Sequence, residues 1–173
     1  MAYSAFITDF LQQAQLPRLS AHDPPPDKQM IQQVAGAEER EIAPANGSQA
    51  SCIRSLLLLA AGGIEEAHRI VQEMSTPSAA YIHGVIHRID DDFDNAKYWF
   101  RRAGIFPAGE EMYRRGAANS LTIARHPSWD PVLVTDMLET SRTTGVTEEL
   151  QAVLTVEFEA LLEFLWNASE PGN

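Results

Sequence analysis

Two histidines, His83 and His87, lie four residues apart in a stretch whose apolar spacing predicts a helix. Residues at this spacing project from one helix face, so both imidazoles can bind a single metal ion. A further ligand is offered by His68, which follows Glu65 at the Glu-x-x-His spacing that di-iron helical bundles use. Such bundles need two of these pairs and the chain has one, so the sequence leaves a three-histidine site, with His68, as the geometry to test.

The alternative is that His83 and His87 only pack inside the fold. In that interpretation each ring hydrogen-bonds to a backbone or carboxylate group, as buried polar groups usually do. Because packing is the commoner role for such residues, the sequence favours it and no cofactor is expected. A divalent transition metal is the alternative expectation.

A second cluster is basic and aromatic, and it consists of Lys97, Tyr98, Trp99, Arg101 and Arg102. On a helix Lys97 and Arg101 share a face, where they can clamp a carboxylate or phosphate between aromatic stacking platforms. The alternative pairs the cations with the acidic turn at residues 90–94 and places Trp99 in the core. Opposite charges that are close in sequence usually neutralise one another, which favours the second interpretation.

The overall charge narrows the class of partner. The 173 residues include 24 acidic and 13 basic side chains, which give a formal net charge of −11. A field of this sign repels nucleic acid and anionic membrane surfaces, so neither is an expected partner. The single cysteine suits a reducing compartment, and the first residues do not resemble a secretion signal, so we expect a cytoplasmic protein.

Enzyme chemistry is the less expected class. The sequence contains no Gly-x-Ser-x-Gly elbow, no phosphate-binding glycine loop, no Cys-x-x-Cys pair and no His-Glu-x-x-His motif. The expected role is therefore binding rather than catalysis, with a metal-dependent enzyme as the alternative.

The elements that must position these residues are all predicted to be helices. Apolar periodicity, proline stops and glycine breaks predict helices over residues 4–15, 28–42, 49–61, 64–74, 78–89, 93–103, 109–125, 131–145 and 147–166. No segment shows the alternation of a strand, so we predict an all-α fold of antiparallel helical hairpins.

The chain is predicted to form one domain over residues 1–173. Residues 1–48 form a looser N-terminal flank with a proline-rich connector, residues 49–107 form two hairpins, and residues 108–173 form C-terminal helices. The last helix has an apolar face too wide for a surface helix. It is expected to be either the central core helix or partly an interface for a homo-oligomer.

The better hairpin resembles a tetratricopeptide repeat. With the repeat glycine on Gly84, its alanine falls on Ala96, its second aromatic residue on Phe100 and a further small position on Ala103. The preceding hairpin matches only weakly, so the resemblance covers residues 49–107. More narrowly, the segment 83–102, with HxxxHR followed by DFxNAxYWFRR, is similar to a family of uncharacterised bacterial and fungal helical proteins.

The resemblance implies a tetratricopeptide-like array that acts as a protein-interaction or scaffold module. In such repeats the first helix of each pair lines the concave surface. The residues that fall on that side, and that are expected to form a groove for a peptide or partner helix, are Tyr81, Val85, Arg88 and Ile89. A metal-binding helical protein that uses His83 and His87 is the alternative function.

Overall fold

The computed structural model describes residues 2–44 and 47–169, and over those residues the chain is helical without a strand. The predicted all-α fold class is therefore confirmed. The helices are α1 Ala5–Gln13, α2 Lys28–Gly36, α3 Glu39–Ile42, α4 Ser48–Ala61, α5 Ile64–Val71, α6 Pro77–Ile89, α7 Phe93–Ala103, α8 Gly109–Asn119, α9 Leu121–Ala124, α10 Pro131–Thr144 and α11 Glu148–Ala168.

Side-chain caps fix several of the helix starts. The Asp27 carboxylate accepts hydrogen bonds from the backbone amides of Gln29 and Met30 at the start of α2. Asp130 caps α10 in the same way, with Pro131 in the first turn where its missing amide costs no hydrogen bond. Both starts are those that the sequence predicts.

The single helix predicted over residues 109–125 is wrong, because the chain leaves the helical conformation at Ser120. This residue is extended, with φ −142° and ψ 122°, and its hydroxyl accepts a hydrogen bond from the Ile123 amide at the start of α9. The same hydroxyl donates to Glu149 at 2.5 Å. Ser120 therefore ends the first helix and caps the second, and its bond to a distant carboxylate holds it in this extended conformation.

The helix predicted over residues 28–42 is also divided. Helix α2 ends at Gly36, Ala37 is extended, and the four-residue α3 begins after Glu38. Glu38 and Glu41 satisfy each other's backbone amides in a capping box, which stabilises the new start. Residues 45 and 46 of the predicted loop that follows lie outside the described residues.

Two helix pairs are joined by short turns and pack closely, α4 with α5 and α6 with α7. In the second pair His83 lies against Trp99 and His87 against Asn95, so the two helices run antiparallel. Gly84 makes their close approach possible, because a Cβ atom there would lie 2.8 Å from the Phe100 ring.

Helix α6 is buried on nearly every side, since it packs on α4, α5 and α7 and bonds to α11. Helix α11 packs on α4, α8 and α10. Most of its apolar side chains are buried within the chain, which accounts for its wide apolar face as a core helix. The two histidines of interest therefore project from a largely buried helix.

The N-terminal flank is not loose, contrary to the sequence-based prediction. Ile7, Val34 and Ile42 are fully buried in the same apolar cluster as the later helices. The buried guanidinium of Arg18 donates a 2.6 Å hydrogen bond to the carbonyl of Pro24 and longer ones to the carbonyl of Ala60 at the end of α4. The proline-rich connector is thus tied to the core through this side chain.

Candidate metal centre

Three histidines from two helices meet at one place. His68 lies on α5, while His83 and His87 lie one turn apart on α6. One ring nitrogen from each can be chosen so that all three atoms lie within 4.8 Å of one another. The structure therefore brings together the three residues that the sequence offered as a metal site, and no other group of converging ligands is found among the described residues.

The cluster is built from stacked and crossed rings. The indole of Trp99 stacks on His83 with ring centroids 3.8 Å apart, and His83 lies nearly parallel to His87 at 4.9 Å. His68 stands edge-on to both rings. Because the α5 and α6 backbones hold their own hydrogen bonds, these rings are positioned by rigid elements rather than by a loop.

The hydrogen bonding of His83 is incomplete. Its Nε2 atom lies 2.8 Å from Nε2 of His68, and its buried Nδ1 atom has no hydrogen-bond partner within the described part of the chain. A neutral imidazole carries one proton, so the contact between the two Nε2 atoms needs a proton on one ring only. A side chain that is 4% exposed thus keeps an unpaired polar atom, which is uncommon in folded proteins.

Burial and the neighbouring histidines lower the pKa values of His83 and His87, which favours their neutral forms. Burial is the main reason why the pKa of His83 is lowered to about 4, and the neighbouring His68 and His87 lower it further. Burial also lowers the pKa of His87, although the nearby carboxylate of Asp92 opposes that change. His83 is therefore uncharged at neutral pH, and the neutral ring is the form that binds metal ions.

Two polar side chains of the following turn and helix lie against His87. Asp92 places a carboxylate oxygen 3.5 Å from Nδ1 of His87, and the amide nitrogen of Asn95 lies 3.3 Å from both nitrogens of that ring. Asn95 also donates to Asp92 at 3.1 Å. A carboxylate beside Nδ1 favours a proton on that atom, which leaves Nε2 free to act as a ligand.

A groove of about 390 Å³ runs beside the cluster. His68 and His87 form part of its lining, together with the side chains of Glu65, Arg69 and Asp90. Glu65 is exposed, and its carboxylate is not among the converging ligand atoms. The partner suggested by the Glu-x-x-His spacing therefore lies near the cluster without completing it.

The predicted partner groove on α6 is wrong, because its residues are inside the fold. Tyr81, Val85, Arg88 and Ile89 are all buried. Their face of α6 is covered instead of exposed, and Arg88 forms an ion pair with Glu157 of α11 in which both side chains are almost fully buried. No peptide can reach these four side chains without opening the core.

A buried hydrogen-bond network occupies that face. The Tyr81 hydroxyl donates to Oε1 of Glu157 at 2.8 Å and accepts from Nε1 of Trp129 at 2.8 Å. Burial, followed by the charge of Glu157, raises the pKa of Tyr81 well above its ordinary value. Sequence reasoning missed Glu157, because Glu159 and Glu163 lie in the same apolar run of the last helix and nothing in the local sequence marks which of the three is buried.

The basic and aromatic cluster on α7 is divided among different partners. Lys97 forms ion pairs with Asp136 and Glu139 of α10 at 2.7 and 2.9 Å, not with the neighbouring acidic turn. The Arg102 guanidinium lies over the Trp99 ring at 5.4 Å. Arg101 and Tyr98 are exposed. The five side chains therefore do not converge on one anion, and the acidic turn does not neutralise Lys97.

A larger groove of about 690 Å³ lies on another side of the molecule. Its lining includes Phe100, Ile105, Phe106, Trp129 and Val132. The side chain of Ile105 is fully exposed. An exposed aliphatic side chain beside an apolar groove is a feature of interaction surfaces.

No protein-family model, no curated protein and no solved structure matches this chain. Among the described residues, none of the helices has the length and apolarity that crossing a membrane requires.

Proposed function

We propose that the protein binds a divalent transition metal ion through His68, His83 and His87. The observation that carries this proposal is the convergence of the three ring nitrogens within 4.8 Å. Imidazole nitrogen is a preferred ligand of zinc, copper, nickel and iron. A set of three histidines is one of the ligand sets used by catalytic zinc sites.

The separations of the nitrogens suit a shared ion. Two imidazole nitrogens bound tetrahedrally at the usual zinc distance lie about 3.3 Å apart. The Nε2 atoms of His68 and His83 lie 2.8 Å apart, and all three ligand atoms fall within 4.8 Å. Small side-chain rotations therefore suffice to place the three nitrogens around one ion.

The surroundings support the same role. Within the described residues Nδ1 of His83 has no hydrogen-bond partner, and the two Nε2 atoms of His68 and His83 share one proton. A polar cluster that only stabilised the fold would be expected to have all its hydrogen bonds satisfied. Asp92 beside His87 supplies the carboxylate that commonly orients a metal-bound histidine. Bound there, a metal ion would act as a Lewis acid, and we would assign a metal-dependent activity of the protein to this site.

The test is metal stoichiometry on the chelator-treated protein. We expect the unaltered chain to bind one Zn²⁺, Ni²⁺ or Co²⁺ per molecule in equilibrium dialysis with elemental analysis. The variants His68→Ala and His87→Ala should lose at least about 100-fold in affinity, because each removes a ligand. His126→Ala is the matched control, since this histidine lies outside the cluster and bonds elsewhere. Stoichiometric binding that survives His68→Ala would refute the site.

A second candidate function, an interaction module, is supported by the groove beside Ile105. We propose that an apolar peptide segment of a partner protein binds there, since the groove combines aromatic walls with one fully exposed aliphatic side chain. The proposed surface lies at the end of the α6 and α7 hairpin opposite the turn at residues 90–92, and not on the buried face of α6.

Peptides selected from a displayed library on the unaltered protein provide the test. We expect the selected peptides to share apolar positions and to bind Ile105→Asp at least about tenfold more weakly. Leu121→Asp is the matched control, because Leu121 is also an exposed aliphatic residue and does not line the groove. Peptides that bind Ile105→Asp as tightly as the unaltered chain would exclude this surface.

A further inference from the structure

The histidine cluster is closed on one side and open on the other. His83 is 4% exposed and is covered by the indole of Trp99. His68 and His87 are half-buried, and both line the groove of about 390 Å³. An ion held by the three rings is therefore reached from solvent through this groove.

Three histidine ligands are fewer than a zinc or cobalt ion usually takes, so at least one further ligand atom is expected. Zinc and cobalt bound to proteins take four or more ligands, and the converging set in the described residues consists of three imidazoles. The carboxylates of Glu65 and Asp90 line the groove without belonging to that set. Because the indole of Trp99 covers the opposite side of the cluster, we expect a further ligand to approach from the groove.

We propose that the metal centre keeps an exchangeable coordination position that faces the groove and takes water or a small monodentate anion. This inference rests on the proposed metal binding and gives it a ligand class. It makes the site open, as in catalytic centres, and not closed by a fourth side chain, as in structural ones.

Two charged side chains of the groove are expected to affect how tightly an anion binds at that position. Glu65 and Arg69 lie four residues apart on α5, on the same side as His68. No ion pair joins Glu65 to Arg69 in the described part of the chain, and both side chains are exposed. The cation favours a bound anion and the carboxylate opposes it. Substitutions at the two positions should therefore change anion affinity in opposite directions.

The experiment uses the cobalt-substituted protein, whose visible absorption bands respond to a change of ligand. Binding of one Co²⁺ is first established by dialysis, and azide is then added as the probe anion. We expect azide to alter the visible spectrum saturably. Arg69→Gln should weaken azide binding about threefold, and Glu65→Gln should strengthen it about threefold, because one charge near the ion changes by one unit in each. Arg125→Gln, outside the groove, is the matched control.

The outcomes are separable. If the visible spectrum of the cobalt protein does not change when azide is added, the open coordination position is refuted and the metal site is not. A spectrum that ignores azide in the unaltered chain and responds in Glu65→Gln identifies Glu65 as the fourth ligand, which also overturns it. Failure to bind cobalt in the first step refutes the metal site itself. Responses of equal size in the two groove variants and the control overturn the roles of Glu65 and Arg69.

Discussion

Helix α6 carries two buried polar clusters on opposite faces, and they are satisfied in different ways. Tyr81 and Arg88 face α11, while His83 lies about 200° around the helix from Tyr81 and faces α5 and α7. On the first face nearly every polar atom has a partner from a distant part of the chain. On the second face the histidine rings contact one another, and Asn95 and Asp92 lie against His87 alone.

The difference separates a structural role from a candidate functional one. The Arg88 and Glu157 charges cancel, the Tyr81 hydroxyl donates to the carboxylate, and the indole N–H of Trp129 donates to that hydroxyl. Arg88 Nε is the one atom of that group without a partner in the described residues. The histidine cluster has no such balance, since its rings compete for protons and repel one another when charged. An ion bound to one nitrogen of each ring would remove this competition for protons.

The largest effect should come from breaking the ion pair on the first face. Arg88→Met or Glu157→Leu alone leaves one uncompensated buried charge, so each should lower the free energy of unfolding by about 4 kcal/mol in urea titrations at neutral pH. The double variant should recover much of that loss, because no charge is then stranded. Single variants that cost less than about 1 kcal/mol would show that the pair does not stabilise the fold.

A matched pair of substitutions compares the two faces directly. In metal-free protein Tyr81→Phe should cost about 2 kcal/mol, because it leaves the buried indole N–H of Trp129 without a partner and removes one hydrogen bond to Glu157. His83→Met should cost less, about 1 kcal/mol, because it removes one hydrogen bond, to the half-buried His68, together with an Nδ1 atom that has no partner. Equal losses in thermal or urea unfolding would contradict the contrast between the faces.

The contact between α6 and α7 affects both clusters at once. Gly84→Ala places a methyl group 2.8 Å from the Phe100 ring, so the helices must separate, at a cost of about 1.5 kcal/mol in unfolding free energy. Gly36→Ala is the control, because a Cβ atom there meets nothing within 4 Å. A Gly84→Ala variant as stable as that control would mean that the hairpin is less tightly packed than described.

The smallest effect is expected at the surface. Lys97 pairs with Asp136 and Glu139, whose side chains are about half exposed. Lys97→Ala should therefore cost about 0.5 kcal/mol, and the loss should shrink in concentrated salt. A salt-independent loss comparable to that of Arg88→Met would remove the distinction between buried and exposed pairs.

Local signals predicted much of the fold. The bounds of α7 follow from an acidic turn before the helix and a glycine after it, and the start of α10 follows from Asp130 and Pro131. The break at Ser120 could not be predicted in the same way. Its hydroxyl bonds to Glu149, 29 residues away, and such a partner has no signature in the neighbouring sequence.

Local spacing was also enough to predict the histidine site. It was not enough to show that the predicted partner groove on α6 is buried. His83 and His87 share a face because of helical spacing alone, and the short connection at residues 72–76 between α5 and α6 brings His68 beside them. Arg88 was expected to be exposed because its partner Glu157 lies 69 residues further along. Which face of a helix is covered depends on distant elements, whereas which residues share a face depends only on the helix period.

The stacking of Trp99 on His83 has an optical consequence. The emission of an indole in van der Waals contact with an imidazole is sensitive to the electronic state of that ring. An open-shell ion such as Cu²⁺ or Co²⁺ bound to His83 would lie close enough to quench it by energy or electron transfer, while Zn²⁺ would not. Trp99 emission would therefore report the binding of such an ion, and Trp99→Phe, which leaves Trp129 and Trp166 in place, would abolish the quenching.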